Sequence, residues 1–217
     1  MESIDSYPNN RQENWVAYRE SAEFKNGVRM LENCPVIDFK EKALILAVAL
    51  NLKKAAVINV FKDQATQREI DKMFSELGVY FFRDKEHEKN FDKFLENMGT
   101  REGSQDMHYI VAVSPQAMAE VTVVSSYPQD YAEEFGRAMG YPETAIRAYK
   151  KYKSTGDENF LLKLNDKKLT EEEKAFSFFR FSSDNWEKEV EWLEQIIAGV
   201  KACSPQIYYE VMKGFKN

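Results

Sequence analysis

AAVINVF (residues 55–61), TQREIDKMFSEL (66–77) and VYFF (79–82) follow one another in the chain, and this succession decides the predicted fold. The first and third stretches are short apolar runs typical of buried strands, and the stretch between them has the spacing of an amphipathic helix. A second amphipathic segment (88–98) and a third apolar run (108–113) repeat the alternation. Continuous apolar strands that alternate with helices are typical of a parallel sheet covered on both faces. The sequence therefore predicts adjacent parallel strands.

The segment after the third strand allows two interpretations. Residues 121–125 (VTVVS) could form a fourth strand that returns antiparallel, or they could continue a helix that begins at Pro115. The β-branched residues favour the strand. The predicted fold class is α/β, with a three- or four-stranded, mostly parallel sheet and flanking helices. Residues 1–126 form this core with N-terminal helices, and residues 127–217 form a helical region packed on it, in one integrated domain.

Several helix ends carry recognisable local signals. Thr170 and Glu173 have the spacing of a capping box. Ser204 followed by Pro205 is typical of an N-cap and the first helical position. Helices are also predicted over 12–33 and 39–54 from the spacing of their apolar residues.

Composition restricts the class of protein. The net charge is −6 with no basic block, so we expect no binding to nucleic acid, which requires clustered cations. The longest apolar run is eight residues (43–50) against the roughly 18 that a spanning helix needs, and the N-terminus lacks a secretory signal. These features predict a cytoplasmic protein with no membrane contact. Cys34 and Cys203 are the only cysteines, which argues against a disulfide scaffold and a cysteine-based metal site.

Sequence motifs for catalysis are missing. Glycine-rich phosphate-binding loops, the zinc motif HExxH and the nucleophile motif GxSxG do not occur. Of the two histidines, His87 lies in a charged run and His108 begins the third strand, where a packed structural role is the better interpretation. No metal site and no particular cofactor follow from the sequence.

A ligand site is predicted by position in the fold. In open parallel sheets, ligands bind beyond the carboxyl ends of the strands. Polar side chains directly after the three predicted strands could bind an anionic ligand there, together with a tyrosine from a helical corner. The candidate ligand-binding residues are Lys62, Asp63, Arg83, Asp84, Ser114 and Tyr141. Lys62 and Arg83 should lie at one edge of the sheet and face a common cleft.

That helical corner has the sequence GRAMGYPETAIRAY, residues 136–149. Gly140 can adopt the left-handed conformation that ends a helix, and Pro142 can begin the next one. The segment resembles the GxxLGYPxCCxxxF signature of an uncharacterised, largely archaeal family of prokaryotic proteins, and the resemblance covers about the last two-fifths of the chain. Thr144 and Ala145 stand where the signature has cysteines, so any thiol chemistry of that family would be absent here.

Three classes of function remain open at this point. The first is a binding protein for a small anionic metabolite or nucleotide at the strand ends. The second is a module for protein–protein interaction or homo-oligomer assembly that uses the aromatic-rich C-terminal helices. The third is an enzyme with an unrecognised site. A cavity that includes Lys62, Arg83 and Tyr141 would favour the first or third class.

Overall fold

The structure is a computed structural model that describes residues 15–61, 67–85, 106–125, 132–163 and 167–216. Its sheet has three strands: β1 (Ala55–Phe61), β2 (Tyr80–Arg83) and β3 (Asp106–Ala112). The strand order is β1-β3-β2, so β3 is central and β1 and β2 are at the edges.

Both pairings in this sheet are antiparallel. Phe61 at the end of β1 pairs with Asp106 at the start of β3, and Arg83 at the end of β2 pairs with Tyr109. The predicted mostly parallel sheet is therefore wrong. β1 and β2 do run in the same direction, but they are not neighbours, because β3 lies between them in the opposite direction. Arg83 at the end of β2 pairs near the start of β3, so β2 ends and β3 begins at the same end of the sheet.

The described helices surround the sheet and have the following bounds: α1 Trp15–Arg19, α2 Ala22–Glu32, α3 Phe39–Ala49, α4 Gln67–Glu76, α5 Pro115–Ser125, α6 Ala132–Ala138, α7 Glu143–Thr155, α8 Glu171–Ala175, α9 Trp186–Cys203 and α10 Pro205–Lys216. The predicted helix at 66–77 is confirmed as α4 and connects β1 to β2. The predicted helix at 88–98 lies outside the described residues.

Each face of the sheet is buried under helices. Ile58, Tyr109 and Val111 point into the larger core, which includes side chains of α2, α3, α4, α9 and α10. Ile110 and Ala112 point to the other face and pack against α5 and the end of α6. Burial on both sides explains the largely apolar character of β1 and β3, although Asn59 of β1 is exposed.

Residues 121–125 belong to a helix, so the preference for a fourth strand was wrong and the alternative helix from Pro115 is correct. Ser114 precedes α5, and its hydroxyl accepts a hydrogen bond from the backbone N–H of Ala117 at 3.1 Å. Pro115 then occupies the first position, where it has no N–H to lose. The cap and the proline together begin a helix that continues through the β-branched stretch.

The predicted end signals of the C-terminal helices are confirmed. Thr170 and Glu173 form a reciprocal capping box at α8. The Ser204 hydroxyl caps α10 by accepting a hydrogen bond from the N–H of Ile207 at 3.1 Å, and Pro205 begins that helix. Among the described helices, none is long and apolar enough to cross a membrane.

Candidate functional site

The predicted strand-end site is not assembled as expected. Lys62 and Asp63 lie outside the described residues. Arg83 ends β2, and its Nη1 donates a hydrogen bond to Oε1 of Gln67 at 3.0 Å. Asp84 follows it, and its backbone N–H donates to the carbonyl of His108 at 2.8 Å. The guanidinium of Arg83 is therefore held against α4.

Ser114 and Tyr141 lie at the other end of the strands, away from Arg83 and Asp84. Ser114 follows the antiparallel strand β3, so it lies near the start of β1 and serves as the cap of α5. Tyr141 lies near the same end, because Gly140 approaches Lys54, the residue that precedes β1. The structure therefore separates Arg83 and Asp84 from Ser114 and Tyr141. Of the predicted site residues, Tyr141 lines a cavity.

The corner between α6 and α7 fixes the position of Tyr141. Gly140 has a φ of +76°, as predicted, which the absence of a Cβ permits. Its N–H donates to the carbonyl of Arg137 at 3.0 Å, and the N–H of Tyr141 donates to the carbonyl of Gly136 at 3.0 Å. These two bonds are the pair that defines a Schellman motif. Pro142 is the N-cap of α7, one position before the predicted first turn.

A second corner of the same type positions Lys53. Asn51 follows α3 with a φ of +57°, a conformation that asparagine tolerates better than most residues. The N–H of Leu52 donates to the carbonyl of Ala47 at 2.9 Å, and the N–H of Asn51 donates to the carbonyl of Val48 at 2.9 Å. The chain therefore turns sharply, and Lys53 enters the interior between α3 and β1.

Lys53 and Tyr141 meet between these two corners. The Lys53 ammonium lies 3.9 Å from the centre of the Tyr141 ring and donates a hydrogen bond to the carbonyl of Met139 at 2.6 Å. Only 3 % of Lys53 is exposed, and burial lowers the pKa of its ammonium from the ordinary 10.5 to about 7. Burial also raises the pKa of the Tyr141 phenol to about 12, and this hydroxyl donates to the carbonyl of Phe178 at 3.4 Å.

A cavity of about 350 Å³ lies beside Tyr141, and we call it the Tyr141 cavity. Its size is within the range of small-molecule sites. The walls are formed mainly by apolar side chains of α6 and α7, with two residues from the segment between α8 and α9. The residues that line it are Ala132, Phe135, Gly136, Tyr141, Ala145, Ile146, Tyr149, Phe179 and Arg180.

The segment between α8 and α9 is fixed where it reaches the cavity. The ring of Phe179 stacks on that of Tyr141, with centres 5.5 Å apart. Two residues after Arg180, the buried Ser182 is bound by the fully buried Glu189, which accepts from the Ser182 N–H and hydroxyl at 2.7 Å each. Phe179 and Arg180 are therefore presented to the cavity by a backbone tied to α9.

Arg180 supplies the charge of the Tyr141 cavity. It is exposed at the rim, and no carboxylate among the described residues forms an ion pair or hydrogen bond with its guanidinium. By contrast, Arg137 and Arg147 on the neighbouring helices are both paired with Glu143, at 2.9 and 3.2 Å. An arginine beside an aromatic cavity can bind a carboxylate or phosphate through paired N–H donors.

The cavity offers binding groups and few groups for chemistry. Among the described residues, its lining has the phenols of Tyr141 and Tyr149 and the guanidinium of Arg180, but no carboxylate, histidine or thiol. In the described part of the chain, no three His, Cys, Asp or Glu side chains come together as metal ligands would. His108 is buried in the central strand, at 8 % exposure.

Lys53, Phe179 and Arg180 were not among the predicted site residues. Lys53 and Lys54 resemble a solvated basic helix end, and a Phe-Phe-Arg-Phe stretch after a helix indicates only that rings are buried. Gly140 was the feature of the sequence that pointed to this site, because it marks a sharp corner around Tyr141. Comparison with protein-family models, curated proteins and solved structures finds no match to this chain.

Proposed function

We propose that this protein binds a small molecule that has an apolar, ring-containing body and one anionic group, in the Tyr141 cavity. The observation that carries the proposal is the combination of aromatic walls with a rim arginine that has no carboxylate partner among the described residues. Phe135, Tyr141, Tyr149 and Phe179 present ring surfaces against which a flat apolar group can pack. Arg180 then supplies the directional contact to an acid.

The character of the cavity favours a monoanionic acid over a nucleotide. A nucleotide carries several phosphate charges, and its binding sites usually provide clustered backbone N–H groups or several cations. Among the described residues, the lining of the Tyr141 cavity includes one charged side chain, Arg180, and the rest of the lining is mostly apolar. One guanidinium matches one carboxylate.

The other two classes of function receive less support. Most aromatic side chains of α9 and α10, including Trp192 and Tyr208, pack against the core, while Tyr209 is exposed at 64 %. Such inward packing leaves little ring surface on these helices for a protein partner. For an enzyme, Lys53 would be the candidate nucleophile because its pKa is lowered, but its ammonium is buried and held by the Met139 carbonyl.

Binding of 2-naphthoate, compared with its neutral amide 2-naphthamide, tests the proposal. The acid should raise the melting temperature of the wild type more than the amide does, because only the acid can pair with Arg180. Isothermal titration calorimetry should show that Arg180→Gln weakens binding of the acid by about tenfold, in keeping with a lost charged hydrogen bond, and leaves the amide unchanged.

The matched control is Lys188→Gln, which removes an exposed cation of α9 that does not line the cavity. This variant should bind the acid as the wild type does. Ala132→Phe places a ring in the mouth of the cavity and should weaken both compounds. Equal affinity of Arg180→Gln and Lys188→Gln for the acid, or no binding of 2-naphthoate to the wild type, would contradict the proposal.

A further inference from the structure

Lys53 has an unusual environment for a lysine. Its ammonium contacts the Tyr141 ring and the Met139 carbonyl, and no carboxylate among the described residues pairs with it. Buried charges normally have an ionic partner or several hydrogen bonds. Here the protein keeps a cationic group in the interior with one hydrogen bond and one ring face.

The position of Lys53 connects it to the Tyr141 cavity. The Tyr141 ring contacts the ammonium at 3.9 Å and is also part of the cavity wall. An anion in the cavity would therefore have two cations in its surroundings, Arg180 at the rim and Lys53 in contact with the ring of the wall residue Tyr141. Charges interact strongly across a short distance in a buried, weakly polar environment.

We propose that Lys53 is the second cationic group of the Tyr141 cavity, and that binding of an anion there places a proton on its amine. The inference rests on the proposed function, and it adds that binding is linked to proton uptake. The coupling is reciprocal, because a ligand that favours the protonated form must itself bind better to that form.

The surroundings of Lys53 determine how the affinity for an anion should depend on pH. The pKa of Lys53 is lowered to about 7 by desolvation, with no contribution from another charge. Tyr141 faces it and has a pKa raised to about 12, so it does not titrate near neutrality. The neighbouring Lys54 is exposed. Affinity for an anion should therefore fall as the pH rises from 6 to 9.

Calorimetry of the wild type with 2-naphthoate provides the test. At pH 7.5, titrations in HEPES and in Tris, which differ in ionisation enthalpy, should show uptake of about half a proton per ligand, if binding raises the pKa of Lys53 by about one. The affinity should fall by about tenfold between pH 6 and pH 9. Binding of 2-naphthamide should not change with pH.

Lys53→Met and its neighbour Lys54→Met identify the group that takes up the proton. Lys53→Met should bind 2-naphthoate without proton uptake and with a flat pH profile, while Lys54→Met should behave as the wild type does. Proton uptake that persists in Lys53→Met overturns the assignment to Lys53. Binding to the wild type without uptake overturns the linkage and leaves the proposed function intact. A wild type that does not bind 2-naphthoate overturns both.

Discussion

Replacing Lys53 with methionine should raise the free energy of unfolding at neutral pH. Lys53 is 3 % exposed, and burial lowers its pKa from 10.5 to about 7. A pKa difference of one between the folded and unfolded states is worth about 1.4 kcal/mol. The buried lysine therefore costs roughly 4 kcal/mol at pH 7 relative to a lysine in water.

The substitution also removes two contacts, and their loss reduces the gain in stability. Without the ammonium, the carbonyl of Met139 loses its 2.6 Å donor, which costs about 1–2 kcal/mol. The Tyr141 ring also loses its cation, which is worth about 1 kcal/mol. Methionine has a similar length and fills the same space. We expect Lys53→Met to be more stable than the wild type by about 1–2 kcal/mol at pH 7.

The pH dependence of the stability difference distinguishes removal of the buried ammonium from improved packing as the cause of the gain. Because the folded pKa of Lys53 lies below the unfolded one, the folded state binds fewer protons between pH 7 and 10.5. Wild-type stability therefore rises through this range, and the penalty is complete only below pH 7. The advantage of Lys53→Met over the wild type should fall by about 2 kcal/mol between pH 7 and pH 9.

Urea unfolding, followed by tryptophan fluorescence at pH 6, 7, 8 and 9, measures this difference. Lys54→Met is the matched control, because it makes the same change of charge at the next residue, whose side chain is exposed. Its stability should follow that of the wild type across the series. If Lys53→Met differs from the wild type by the same amount at pH 7 and pH 9, Lys53 titrates normally and the reasoning is refuted.

Three further substitutions test the corner and the caps by denaturant unfolding. Gly140→Ala should cost about 2 kcal/mol, because the residue has a φ of +76° and a Cβ would lie 3.1 Å from Lys54. Gly156→Ala should cost only about 1 kcal/mol, because its φ of +70° is similar but nothing lies within 4 Å of the new Cβ; equal costs would contradict the crowding at Gly140. Ser204→Ala should cost about 1–2 kcal/mol, since it removes the cap on Ile207 and the 2.6 Å hydrogen bond to Glu32, and an unchanged midpoint would count against both contacts.

The apolar pattern of the strands predicted burial correctly and pairing wrongly. β1 and β3 are apolar at nearly every position because helices cover both faces of the sheet. This property is common in parallel sheets, but it does not specify strand direction. Direction here depends on where the chain re-enters the sheet after β2. Strand direction therefore depends on the whole connection between β2 and β3, and no local sequence pattern in residues 79–113 predicts it.

Signals contained within a few residues were more reliable. The capping box of Thr170 and Glu173, the cap at Ser204 and the left-handed Gly140 each depend on contacts between residues close in the chain. Such contacts form regardless of how the distant parts of the fold are arranged. The predicted strand-end site rested on the opposite kind of inference, because it required strands far apart in the sequence to be parallel neighbours, and their pairing is antiparallel.

The proposed role of Lys53 depends on which of two adjacent lysines turns inward. Lys53 and Lys54 have the same chemistry and are adjacent in the sequence, yet Lys53 is buried and Lys54 is exposed. The choice is made by the left-handed turn at Asn51, which rotates the chain after α3, and by β1, whose first residue is already in the sheet. Burial then alters the pKa of Lys53 and leaves Lys54 in water. The difference in burial between these two lysines therefore arises from the turn at Asn51 and the entry of the chain into β1, and a sequence pattern that treats both lysines as a basic helix end does not show it.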